Sequence, residues 1–131
     1  MRHFIQYHNS EEMGFSASDM AEPYIHTNKS VRNLSSNLVW IISGEGGSPK
    51  DFYLAGVFRV KRVAADTYDH PGFKNSAYGD GHIIGETILL NGEAWFESLK
   101  ASLGNFRNGL SEITDPDVIS SIRSEAGLYA L

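Results

Sequence analysis

The chain has 131 residues, 41% of them apolar and 21% charged, with a net charge of −5 and no cysteine. That length fits one domain spanning 1–131, and the apolar share excludes wholesale disorder. The lack of cysteine excludes disulfide frameworks, thiolate zinc sites, iron–sulfur clusters and cysteine nucleophiles.

Arg2-His3-Phe4-Ile5-Gln6-Tyr7-His8 mixes aromatic and branched residues and predicts a short strand. Asn9-Ser10-Glu11-Glu12 suits the start of a brief helical turn, with acids at its positive end. Residues Gly14 to Lys29 show no regular pattern and are expected to form a lid or surface loop. Leu38-Val39-Trp40-Ile41-Ile42 is a continuous apolar run too short for an ordinary helix, hence a strand, ended by the turn from Ser43 to Pro49. A long strand follows over Phe52–Val63. Its latter part alternates, with Val57, Arg59, Lys61 and Val63 on one face and Phe58, Val60 and Arg62 on the other. The two strands predict an antiparallel hairpin, with Gly56 marking a bulge or a close backbone approach.

Asp66 to Gly85 is rich in Gly, Asp, His and Tyr and is expected to be a long, mobile loop beside a binding site. Thr87–Leu90 reads as a short buried strand. Glu93–Lys100 reads as a helix with Trp95, Phe96 and Leu99 inward, stopped at Gly104-Asn105. A last helix begins at Thr114 or Asp115 with Pro116 in its first turn, carries Val118, Ile119 and Ile122 inward, and stops at Gly127. Strands followed mainly by helices predict an α+β fold built on a bent antiparallel sheet or open barrel.

Charge is unevenly spread. Through Arg62 there are 7 Lys and Arg against 6 acids; beyond it there are 4 against 10. An acidic total disfavours indiscriminate nucleic-acid binding but leaves room for a basic face in the first half. No apolar run nears the ~20 residues that span a bilayer, and the opening residues are too polar for a secretory signal. The expectation is therefore a cytoplasmic domain with no membrane partner.

Familiar catalytic patterns are missing. Gly44 to Lys50 lacks the phosphate-loop spacing and precedes a strand, and no serine sits in a nucleophile elbow. Asp66, Asp69, His70 and His82 share one stretch and suit zinc or iron, but at no regular ligand spacing. No catalytic residue, metal or cofactor is thus predicted, and a small metal-dependent hydrolase using residues 66–85 stands as the alternative. A protein-interaction domain partnering a nuclease or toxin is a further one. Among the aromatics, Trp40, Phe58 and Phe96 are expected in the core, whereas Tyr7, Tyr68, Phe73 and Tyr78 are placed to stack on a planar ligand.

Val39-Trp40-Ile41-Ile42-Ser43-Gly44, followed by Tyr53-Leu54-Ala55-Gly56-Val57-Phe58-Arg59-Val60, resembles the PUA-like superfamily, in particular its EVE-type members. His26-Thr27-Asn28-Lys29 and the segment from Gly104 to Leu110 with Ile113 resemble PUA-like domains attached to HNH-type restriction endonucleases. Phe4 and Tyr7 stand where the pattern has a first-strand tryptophan, and Ser36-Asn37 replaces its Gly-Asp. The resemblance implies a bent β-barrel with flanking helices and a non-catalytic module recognising a modified or flipped base in DNA or RNA. It places the base pocket at Tyr7, His8 and Asn9 with Ser43 and Gly44; in the reading of the residues themselves Tyr68 and Tyr78 are the further stacking candidates, and Asn28 and Asp66 the further readers of the base edge. Lys29, Arg32, Arg59, Lys61 and Arg62 are the expected phosphate contacts.

Overall fold

The computed structural model describes residues 1–65, 73–107 and 109–131, with the backbone alone for Glu11 and Glu12. Six strands form one sheet: β1 (His3–Asn9), β2 (Tyr24–Thr27), β3 (Leu38–Glu45), β4 (Asp51–Ala65), β5 (Asn75–Ile83) and β6 (Leu110–Ile113). Their order is β2-β5-β4-β3-β1-β6. The four-residue helix α1 (Ser10–Met13) follows β1, α2 (Ala94–Ser102) precedes β6, and α3 (Pro116–Ala126) follows it. The fold is α+β, with the sheet curled into a half-barrel and the two longer helices packed on its outside.

The predicted hairpin is present. β3 and β4 pair antiparallel, Leu38 opposite Arg59 and Gly44 opposite Phe52. The register shifts where Ile41 faces Gly56 and Ile42 faces Leu54, so Ala55 is the extra residue of a bulge beside the glycine singled out in the sequence. The sheet is mixed rather than antiparallel throughout, because β1 runs parallel to β3. A parallel neighbour needs a long crossover, and the chain supplies one through α1, β2 and the turns before Leu38.

β3 explains the two-layered core. Leu38, Trp40 and Ile42 point outward and pack with Ile5, Leu54 and Val57 beneath Phe96, Leu99 and Ile122 of the helices. Val39 and Ile41 point inward and meet Phe4, Ile25, Phe58, Val60, Ala77 and Leu110 inside the curl. Side chains alternate between faces along a strand, so burial on both sides requires an unbroken apolar run. Each fully buried Leu or Ile contributes about 1.5–3 kcal/mol.

Three expectations need correction. Much of the predicted 66–85 loop is strand β5, which pairs along β4 from Gly56–Ile83 to Ala65–Asn75; residues 66–72 lie outside the described residues. The glycines that suggested a loop are what let β5 approach. A Cβ at Gly79 would overlap the Arg59 carbonyl oxygen, and one at Gly81 that of Val57. The irregular 14–29 stretch contains β2, and β6 lies between the helices; each has four residues, too few for periodicity to register. Thr87–Leu90 forms a single bridge, Tyr53 to Leu89, flanked by bonds from Leu54 N to Ile88 O (3.0 Å) and Leu90 N to Phe52 O (2.8 Å).

A second bulge falls between Val60 and Arg62. It breaks the simple alternation predicted for β4: Val63 packs toward the inner core, while Arg62 lies over the Tyr78 ring at 4.2 Å. The helix signals hold. Asp115 caps α3 by accepting from Asp117 N at 2.9 Å, Pro116 opens it, and Gly127 ends it at φ 57°.

The outer core contains a buried polar pair, Trp40 Nε1 donating to His3 Nδ1 at 3.1 Å. Burial first, then the charges of Arg123 and the N-terminal amine, pull the His3 pKa below its ordinary 6.5. Protonation would also set an N–H against the indole donor. Below pH 6.5 the unfolded chain takes up a proton that folded His3 resists, so this residue's share of stability is lost as pH falls through that value. Melting temperatures measured from about pH 8 to 5 are expected to fall less steeply for His3→Gln, which keeps an acceptor but does not titrate.

Candidate functional site

Where the half-barrel curls round, its two edge strands come close at one end. Lys29, just past β2, donates from Nζ to the Leu110 carbonyl of β6 at 2.7 Å, and Tyr7 N donates to Gly109 O at 3.1 Å. Between these contacts lies a cleft of about 420 Å³. Three carboxamides line it: Gln6 and Asn9 of β1, and Asn28. The rings are Tyr7, Phe73 and Phe106, and the cations are Lys29 and Arg107. Among the described residues its charged lining is cationic, in a chain of net charge −5.

One wall is backbone in an uncommon conformation. Gly104, Asn105 and Phe106 are successive left-handed residues, with φ of 59°, 57° and 64°. Such a conformation costs a bulky residue like phenylalanine about 1–3 kcal/mol, and it persists only where its surroundings hold it. Here Asn105 N donates to Lys100 O (2.9 Å), Phe106 N to Leu103 O (3.1 Å) and Gly109 N to Phe106 O (3.1 Å). The Phe106 ring sinks among Tyr7, Phe52 and Phe96, at centroid distances of 5.3, 5.9 and 5.8 Å. The reversed turn seats Phe106 in the core and leaves Arg107 exposed at the rim.

Tyr7 therefore has two roles. It lines the cleft, yet one face stacks on Phe106 at an interplanar angle of 15°. Its hydroxyl end passes over Gly44, where a Cβ would collide with it. Gly44 is thus the floor under the tyrosine, and neither it nor Ser43 lines the cleft. Ser43 is fully buried, and its hydroxyl has no hydrogen-bond partner among the described residues.

The structure brings together Tyr7, Asn9, Asn28 and Lys29 of the sequence-predicted site, and places its other described members elsewhere. Asp66 and Tyr68, with Asp69 and His70, lie outside the described residues. Tyr78 lines a separate groove of about 570 Å³ with Phe15 and Tyr24, on the outside of β2 and β5. Lys61 and Arg62 sit along the outer side of β4 and β5, Lys61 paired with Asp80 at 2.5 Å. Arg59 is opposite outward-facing Leu38, and exposed Arg32 borders a shallow groove with Val63 and Asn75. His82 is exposed and packs edge-on to Tyr129, and no group of three metal-ligating side chains occurs among the described residues.

Sequence reasoning missed Gln6 and Arg107. Arg107 lies in a half of the chain whose charge is acidic overall, and only the left-handed turn brings it to this rim. Gln6 belongs to a strand read for its apolar residues. Phe73 was legible as a stacking candidate.

Gly44→Ala is expected to cost about 1–3 kcal/mol in urea unfolding, by driving a methyl into the Tyr7 side chain. Adding Tyr7→Phe should recover part of that loss, because it removes the atom in closest conflict.

No helix among the described residues is long and apolar enough to cross a membrane. Compared with known proteins, the chain matches no protein-family model and no curated protein sequence.

Proposed function

We propose that this chain is a non-catalytic cytoplasmic binding module whose half-barrel mouth accepts an unstacked base of DNA or RNA, including a modified one. The supporting observation is the cleft: ring faces, carboxamides and two cations converge there with no carboxylate among its described lining. Its volume of about 420 Å³ falls within the ~300–1,000 Å³ usual for small-ligand pockets. Each group has a use in this reading. Tyr7 and Phe73 offer faces to a planar ring, and stacking of this kind contributes about 1–3 kcal/mol per base. Asn9 and Asn28 offer donors and acceptors to its edge, and Lys29 and Arg107 offer charge to the flanking phosphates. The PUA-like, EVE-type relationship belongs to this proposal, which draws support from the curled sheet with helices on its outer face.

The metal-dependent hydrolase draws less support: His82, its one described ligand candidate, is exposed and meets the Tyr129 ring edge-on. The reading also redistributes the phosphate contacts. Lys29 stays with the base site and Arg107 joins it, whereas Arg59, Lys61 and Arg62 belong to another face.

Titrating the protein with single-stranded oligonucleotides, plain and methylated, at two salt concentrations tests this. Binding is expected to weaken with salt, and Lys29→Ala and Arg107→Ala should each flatten the slope by roughly one unit. Arg59→Ala combined with Arg62→Ala should leave the slope unchanged. Phe73→Ala should weaken binding with little change in slope, since stacking releases few counterions. Absence of binding to every oligonucleotide at low salt would refute the proposal.

A further inference from the structure

Gln6 lies at the junction of two spaces. With Tyr7 and Met13 it lines both the open cleft and a small inner cavity of about 20 Å³ toward His8, Ile25 and Ile41. Its Nε2 donates to the Tyr7 carbonyl at 3.2 Å, which accounts for one of its two N–H bonds and fixes the direction of the carboxamide. Its Oε1 is buried and has no hydrogen-bond partner among the described residues. A buried carbonyl oxygen without a donor is costly to keep, and native proteins seldom leave one unless water or a ligand completes it. A carboxamide with a free oxygen beside a spare N–H is complementary to an amino group beside a ring nitrogen. That pattern is the edge of adenine, with its N6 amine next to N1 or N7, and of cytosine, with its N4 amine next to N3.

We infer that Gln6 is the specificity-determining residue of the cleft, its Oε1 accepting from the exocyclic amine of an aminated base and its Nε2 donating to the neighbouring ring nitrogen. This rests on the proposed base-binding function and adds the class of base. Met13 borders the route inward, and its unbranched thioether can change rotamer at small cost to admit the base edge.

The test compares oligonucleotides that carry adenine, or unsubstituted purine in its place, at one position in an otherwise abasic strand. Purine keeps the ring and its nitrogens but has no amine to give to Oε1. The wild-type protein is expected to bind the adenine strand about tenfold more tightly, the scale of one buried acceptor left unpaired. Gln6→Met and Gln6→Leu, both apolar and of similar size, should abolish that difference while keeping the salt slope set by Lys29 and Arg107. Both remove an unpaired buried oxygen, so their melting temperatures should hold or rise. Equal wild-type affinity for the two strands overturns this inference and leaves the binding module standing, with a buried water as the partner of Oε1. Discrimination that survives in a folded Gln6 variant also overturns it, because another group must then read the amine. Failure of both strands to bind at low salt overturns the module and this inference together.

Discussion

The molecule is organised by a demand that β3 makes in both directions, since Leu38, Trp40 and Ile42 must be covered on one face while Val39 and Ile41 must be covered on the other. Helices α2 and α3 satisfy the first requirement. The second is met partly by Ala17, Val31 and Leu34 of the connecting segments and otherwise by the sheet itself, which curls until Phe58, Ala77, Ile25 and Leu110 meet over β3. Two bulges in β4 supply the bending, at Ala55 and near Lys61. Gly79 and Gly81 let β5 follow the bent strand without a Cβ against its carbonyls.

The cleft results from that curling. A sheet rolled this far brings its edges together without closing, and the opening between β2 and the start of β6 becomes a mouth with polar backbone at its rim. Lys29 bridges that gap through the Leu110 carbonyl, so a cation at the rim also joins the two edges. The reversed turn at Gly104–Phe106 has a similar double effect. Its backbone cost is offset by burying the Phe106 ring in the aromatic cluster, and the price is repaid where Arg107 reaches the rim. Stability and the proposed recognition therefore draw on the same residues, Tyr7 above all. A change that empties the aromatic cluster would alter the cleft as well.

Much of the fold was legible because the relevant signals are local. The apolar run at Leu38–Ile42 reports two buried faces directly. Asp115-Pro116 and Gly127 bound α3 by rules that need no tertiary information, and Trp40, Phe58 and Phe96 are all fully buried as expected. What was not legible depends on partners distant in sequence. Asn75–Ile83 has the composition of a loop and becomes a strand because β4 and β2 bond to both its edges. β1 has an ordinary strand pattern that says nothing about whether its neighbour runs parallel. In the cleft, Tyr7, Asn9, Asn28 and Lys29 were named beforehand from ring, amide and charge chemistry and from the family resemblance. Gln6 and Arg107 escaped because their significance lies in an unpaired oxygen and a reversed turn, neither of which has a composition.

The position of β1 bears on how the chain reaches this state. It is the first of the six strands in sequence, yet it sits between β3 and β6, whose paired residues lie 35 and 104 to 110 positions further on. Until residues 110–113 arrive, one whole edge of β1 has nothing to bond, and Glu112 cannot meet Arg2 in the two-pronged pair they form at 2.9 and 2.7 Å. Loop-closure entropy must be met before those distant pairings return anything, which places the domain among slow, non-local folders. During synthesis the β3–β4–β5 meander can assemble early. The sixth strand acts as the latch, and an exposed β1 edge awaiting it is the surface on which two nascent chains would exchange strands.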